Sequence, residues 1–94
     1  MTLSIKFIGA LRHISGKTLL SVNYQEDISL KGLIDKLIQE LPELKKTFSD
    51  QQINDSKSNS LILINGREIS VLNGLETKLS DGDEIVFVPV VHGG

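Results

Sequence analysis

Hydrophobic residues recur along this chain at two spacings, every second position and every third or fourth. Leu3, Ile5 and Phe7 alternate with Ser4 and Lys6, the period of a half-buried strand, and Gly9 ends the run. Residues 10–14 suit a short helical turn, stopped by Ser15-Gly16. Leu20, Val22 and Tyr24 then alternate with Ser21 and Asn23. Two strands so close in sequence are expected to be antiparallel neighbours. The spacing changes after Ser29, whose hydroxyl suits an N-cap because it can accept from a free first-turn N–H. Leu30, Leu33, Ile34, Leu37, Ile38 and Leu41 form one apolar stripe, with Asp35, Lys36, Gln39 and Glu40 on the wet side. Pro42 ends the helix, since the residue before a proline resists helical geometry. Leu44 and Phe48 predict a further turn over the core edge.

Residues 49–60 are polar apart from Ile53 and read as a loop. Residues 61–64 are apolar on both faces and read as a buried strand. Asn65-Gly66 is a hairpin signal, because both positions tolerate positive φ. Residues 67–71 are the predicted return strand, Asn73-Gly74 and Ser80-Asp81-Gly82-Asp83 further turns, and residues 84–90 the last strand. In that strand Ile85 and Phe87 point to one face and Val86 and Val88 to the other, so it belongs in the middle of the sheet. The order β-β-α-β-β-β predicts an α+β layer fold with one helix across one sheet. One helix covers one face well. An apolar patch is therefore expected on the other face, near the C-terminus, and such patches mark protein-binding surfaces.

Composition narrows the chemistry. The 94 residues suit one domain. The absence of cysteine excludes a disulfide framework, thiolate metal sites, an iron–sulfur cluster and a cysteine nucleophile. A net charge of -2 and scattered aromatic residues give no footprint for nucleic acid. The N-terminus lacks the pattern of a signal peptide. The apolar run over residues 85–91 is far short of the roughly 20 residues that span a bilayer. A soluble cytoplasmic protein without direct nucleic-acid or membrane contacts is expected.

His13 and His92 stand at opposite ends of the chain, so no zinc site is expected. No nucleophile elbow and no phosphate-cradling glycine loop is present. Asp81, Asp83 and Glu84 form an acidic cluster, read as a solvated turn ahead of a strand in preference to a divalent-ion site. Arg12 and His13 read as a surface turn before an anion contact, and Asn65-Gly66 as turn chemistry alone. The chain ends in Val91-His92-Gly93-Gly94. One reading is a frayed end. The other is functional: a carboxylate is activated only if an enzyme can surround it, and glycine, lacking Cβ, lets an extended backbone thread a narrow channel. Val91 would then grip the entrance to that channel.

The segment Ser80-Asp81-Gly82-Asp83-Glu84-Ile85-Val86-Phe87-Val88-Pro89-Val90-Val91-His92-Gly93-Gly94 resembles the end of the small subunit of molybdopterin synthase, with its D-G-D-E, apolar strand, proline and Gly-Gly. Phe7-Ile8-Gly9-Ala10-Leu11-Arg12, followed by Ser15-Gly16, resembles that family's first strand and short helix. Pro42, Leu44 and Phe48 match a feature of archaeal-type members. The resemblance covers nearly the whole chain except residues 49–59. Val90 stands where a second proline is common, and His92 where a small residue is usual. The His-Gly-Gly ending is similar to that of the ubiquitin-related modifier serving transfer-RNA thiolation. The thiamin-pathway carrier is usually shorter and lacks room for residues 42–59.

The resemblance implies a ubiquitin-like β-grasp fold, with a mixed sheet of four to five strands on one main helix. Residues 1–90 would form the domain and residues 91–94 a flexible tail. It implies a sulfur carrier whose Gly94 carboxylate is adenylated by a ubiquitin-activating-like adenylyltransferase and converted to a thiocarboxylate by a sulfur donor, such as a sulfurtransferase persulfide. ATP is used by that partner enzyme, and the chain itself binds no cofactor or metal. The large subunit of molybdopterin synthase would accept the tail, threaded through Val91, His92 and Gly93. Phe87, Val88 and Pro89 fall where the family places partner-facing apolar residues. At most the chain is a sulfur-donating subunit without side-chain catalysis of its own. Two alternatives stand beside this role: a modifier acting in transfer-RNA thiolation or joined to protein lysines, and a plain β-grasp interaction domain.

Overall fold

In the computed structural model, residues 1–9, 12, 16, 19–25, 27–46 and 60–89 are described. The strands are β1 (Thr2–Phe7), β2 (Leu19–Asn23), β3 (Ser60–Ile64), β4 (Arg67–Glu68) and β5 (Glu84–Pro89), and the main helix is α1 (Leu30–Glu40). The sheet order is β2-β1-β5-β3-β4. β1 and β2 are antiparallel, as expected of strands close in sequence. β5 runs parallel to β1 and antiparallel to β3, so the last strand lies at the centre of a mixed sheet.

The register puts the alternating apolar residues on one face. Leu3 lies beside Val22, and Ile5 beside both Leu20 and Ile85. Phe87 lies between Phe7 and Ile62, and Ile64 meets Ile85. The rings of Phe7 and Phe87 stack with centroids 5.8 Å apart. Against this face α1 buries Leu30, Leu33, Ile34 and Leu37. The Ser29 hydroxyl accepts from the Gly32 N–H at 3.1 Å, satisfying one of the donors a helix start leaves free. The helix stops before Pro42, which opens a 3-10 turn (Pro42–Lys46) whose Leu44 is fully buried over the core edge.

The return strand predicted over residues 67–71 is only two residues long, and Ile69–Val71 form a 3-10 turn instead. The cause is local. The Glu68 carboxylate accepts from both the N–H and the hydroxyl of Ser70, offering that N–H a partner a ladder would otherwise supply. Val71 is left 72% exposed. The turn predicted over residues 10–14 is described only at Arg12, and Phe48 and the loop over residues 49–59 lie outside the described residues.

Tyr24, just after β2, packs on the core edge with its hydroxyl buried and, among the described residues, without a hydrogen-bond partner. The Lys36 ammonium sits 5.7 Å from its ring centroid. Burial, and secondarily the charge of Glu40, push the phenol above its ordinary value. The fold thus favours the neutral phenol. Its contribution to stability is intact below the unfolded-state value, about pH 10, and is lost as the pH rises through the folded-state value. Tyr24→Phe removes an unsatisfied hydroxyl and is expected to shift stability by less than about 1 kcal/mol at neutral pH. In urea denaturation, the variant should lose less stability than the parent in the alkaline limb. Equal alkaline slopes would contradict this assignment.

Candidate functional site

The turn before β5 is built from the D-G-D-E residues, and its carboxylates hold backbone. The Asp81 carboxylate accepts from the Thr2 N–H at 2.7 Å. The Gly82 N–H donates to the Thr2 carbonyl at 2.7 Å, from a backbone at φ +84° that favours glycine. Asp83 accepts from the Ser80 N–H and the Asn65 side-chain amide, at 2.7 and 2.8 Å. The Asn65 side-chain carbonyl accepts from the Glu84 N–H at 2.9 Å. Asn65 therefore does more than form its turn: it ties the β3–β4 hairpin to the start of β5. Both ends of the staple, Thr2 and Asn65, lie far from it in sequence. No group of at least three carboxylate or histidine side chains placed to hold a metal occurs among the described residues.

From this anchored start, β5 crosses the middle of the sheet. Ile85 and Phe87 are fully buried in the helix-covered core. Val86 and Val88 lie on the opposite face. There the register places Val86 between Lys6 and Leu63, and Val88 beside Leu61. Val86 is 8% exposed, while Val88, Leu61 and Leu63 are half-buried. Ile8 follows β1 on the tail side, exposed, with its N–H bonded to the Phe87 carbonyl at 3.1 Å. The face opposite α1 thus carries an apolar stripe across β3 and β5, flanked by exposed Lys6 and Glu84.

The predicted partner-facing trio is divided by this arrangement. Val88 is half-buried on the face opposite α1. Phe87 is fully buried and stacked on Phe7, so its side chain belongs to the core rather than a docking surface. Pro89 ends β5 opposite Ser60. Val91, His92, Gly93 and Gly94 lie outside the described residues, as does His13, while Arg12 is exposed. Leu61 and Leu63 were not singled out as site residues. Their signal was the apolar character of both faces of β3, of which only one is needed for the core.

No helix among the described residues is long and apolar enough to cross a membrane. The model of the ThiS family matches residues 5–94. Ubiquitin-related modifier 1 of Schizosaccharomyces pombe is 30% identical over 100 residues, covering 100% of both chains. The solution structure of small archaeal modifier protein 1 from Methanosarcina acetivorans is similar at 32% identity with a TM-score of 0.76, over 99% of this chain and 96% of that one. A Pyrococcus furiosus chain assigned as molybdopterin converting factor subunit 1 gives a TM-score of 0.80 at 21% identity, over 97% and 99% of the two chains, a likeness of fold alone. The mixed five-stranded sheet on one main helix is the β-grasp of ubiquitin-like proteins.

Proposed function

The chain belongs to the ThiS family of ubiquitin-like sulfur carriers and modifiers, and from that premise we propose that it carries sulfur as a thiocarboxylate on Gly94. The observation that supports this most is the end-to-end match: the family model extends through residue 94, and so takes in Gly93-Gly94. In this reading the Gly94 carboxylate attacks the α-phosphorus of ATP on a partner adenylyltransferase, and pyrophosphate leaves. The resulting anhydride has a good leaving group where the carboxylate had none. The terminal sulfur of a donor persulfide attacks the carbonyl carbon and AMP leaves. A second thiol then cleaves the sulfur–sulfur bond, taking the donor sulfur into a disulfide and freeing the thiocarboxylate.

The half-buried Val88, Leu61 and Leu63, around the buried Val86, are the docking surface for such partners, because they adjoin the strand that leads into the tail. The acceptor assigned on the D-G-D-E and proline pattern is the pterin precursor, with the large subunit of molybdopterin synthase receiving the tail. A second reading, modifier action through transfer-RNA thiolation or lysine conjugation, is favoured by full-length identities of 30% and 32% to modifiers and by His92-Gly93-Gly94. The test is intact-mass spectrometry after incubation with ATP, a cognate activating enzyme and a persulfide donor. A mass gain equal to replacement of one oxygen by sulfur is expected. No gain, with an enzyme competent on another carrier, would leave a β-grasp interaction domain. Supplying the thiolated protein with pterin precursor plus large subunit, or with cell extract, then separates sulfur transfer from conjugate formation.

A further inference from the structure

The two edges of the sheet are built differently. β4 is two residues long, carries Arg67 and Glu68, and turns into a 3-10 segment. Short, charged and promptly ended strands of this kind discourage pairing with another chain. β2 has none of these devices. Its five residues, Leu-Leu-Ser-Val-Asn, include no charge, proline or glycine. It lies at the sheet edge, with β1 as its one neighbour among the described strands.

The hydrogen-bond phase of this edge follows from the residues after it. The Tyr24 N–H donates to the Met1 carbonyl at 3.0 Å, and the Met1 amine donates to the Tyr24 carbonyl at 2.9 Å. Met1 and Tyr24 are therefore a bonded pair. Bonded and non-bonded pairs alternate in an antiparallel ladder, so in the β1–β2 register Val22 and Leu20 also spend their backbone groups on β1. The backbone groups of Leu19, Ser21 and Asn23 consequently point away from β1 along the edge.

We propose that this edge pairs with the β2 of a second copy of the chain, antiparallel about a two-fold axis at Ser21. The sequence is complementary to itself in that register. Ser21 bonds Ser21 of the other copy, and Leu19 bonds Asn23, so every outward backbone group of the strand finds a partner. The intervening non-bonded pairs, in which side chains approach most closely, set Leu20 against Val22 twice. Both residues face the core and are only half-buried, because the sheet ends beside them. Pairing would continue the core across the axis. A foreign strand could satisfy the backbone as well, but only a second copy brings the Leu20–Val22 pairs by symmetry. The apolar stripe on β3 and β5 is separated from β2 by β1, so both copies keep their docking surfaces open.

An interface of one short strand is small, and association is expected between about 10 µM and about 1 mM. Sedimentation of the full chain over that range should show a monomer–dimer equilibrium. The amides of Leu19, Ser21 and Asn23 should gain exchange protection with concentration, while that of Val71 should not. Ser21→Lys sets two lysines directly opposite each other across the axis, at an exposed position whose N–H takes no part in the β1 ladder. It should weaken association by at least about tenfold with the fold intact. Leu19→Lys gives the same reading if Ser21→Lys does not fold. A monomer at every concentration, or association unchanged in a folded lysine variant, would overturn the proposal. So would association abolished by Val88→Asp and untouched by Ser21→Lys, which would assign the contact to the face opposite α1.

Discussion

Removal of Gly93 and Gly94 is expected to reduce ATP-dependent activation to background while changing stability by no more than about 0.5 kcal/mol. The two effects separate because the chemistry and the fold use different parts of the chain. The sheet is closed by β5, which ends at Pro89, and the buried core includes nothing beyond Phe87 among the described residues. The proposed reacting group is the terminal carboxylate, and the residues behind it serve access. Glycines without Cβ admit an extended backbone to a channel that a side chain would block. Pyrophosphate release measured with the activating enzyme, beside urea denaturation of both proteins, reads the two quantities together. A truncated chain activated as fast as the full one would remove the tail from the mechanism. A truncated chain that unfolds would show that residues past β5 support the fold.

The second large effect lies in the core itself. Phe87→Ala is expected to cost about 3–5 kcal/mol, as truncation of a buried phenylalanine does. Against a typical stability of about 5–15 kcal/mol this is a large fraction of what holds a small domain together. Phe87 stacks on Phe7, sits beside Ile62 in the register and occupies the central strand. The cavity left by alanine would therefore open between β1, β3 and α1. Val88, one residue on and facing the other way, should behave differently. Val88→Asp should impair docking to the activating enzyme while the protein stays folded. Chemical denaturation compared with partner binding distinguishes the cases. A Phe87→Ala protein within about 1 kcal/mol of the parent would contradict the assignment of Phe87 to the core.

The contrast between those neighbours marks how far the sequence could be read. Alternation in residues 84–88 placed Ile85 with Phe87 and Val86 with Val88, and apolar character on both sides placed the strand centrally. Which pair meets the helix depends on β1, whose parallel register sets Phe7 beside Phe87 across about eighty residues of chain. No local pattern encodes that choice, so the resemblance-based assignment of Phe87 to the partner surface fell on the wrong face. The helix was legible to its caps because Ser29 and Pro42 act within a turn of where they stand. β4 was overextended because Ile69 and Val71 alternate like a strand, while the competing Glu68–Ser70 contact is a side-chain choice. The acidic residues before β5 form the exposed turn expected of them, but their bonds to Thr2 and Asn65 were not legible, because those partners are distant in sequence. The role proposed for Gly93-Gly94 rests on composition and resemblance, because residues 91–94 lie outside the described residues.

The parallel pairing of β1 with β5 also has a mechanical meaning. A partner that pulls on the C-terminal side of β5 while the N-terminal side of β1 is held draws the two strands past each other along their length. Their backbone bonds then carry the load together in shear, instead of opening one after another like a zipper. β5 is gripped in the same way by β3 on its other side, so tension applied through the tail meets the most resistant direction of the sheet. Under the proposed function, a tail drawn taut in a partner's channel would load the domain in that direction, and the domain would serve as a stop.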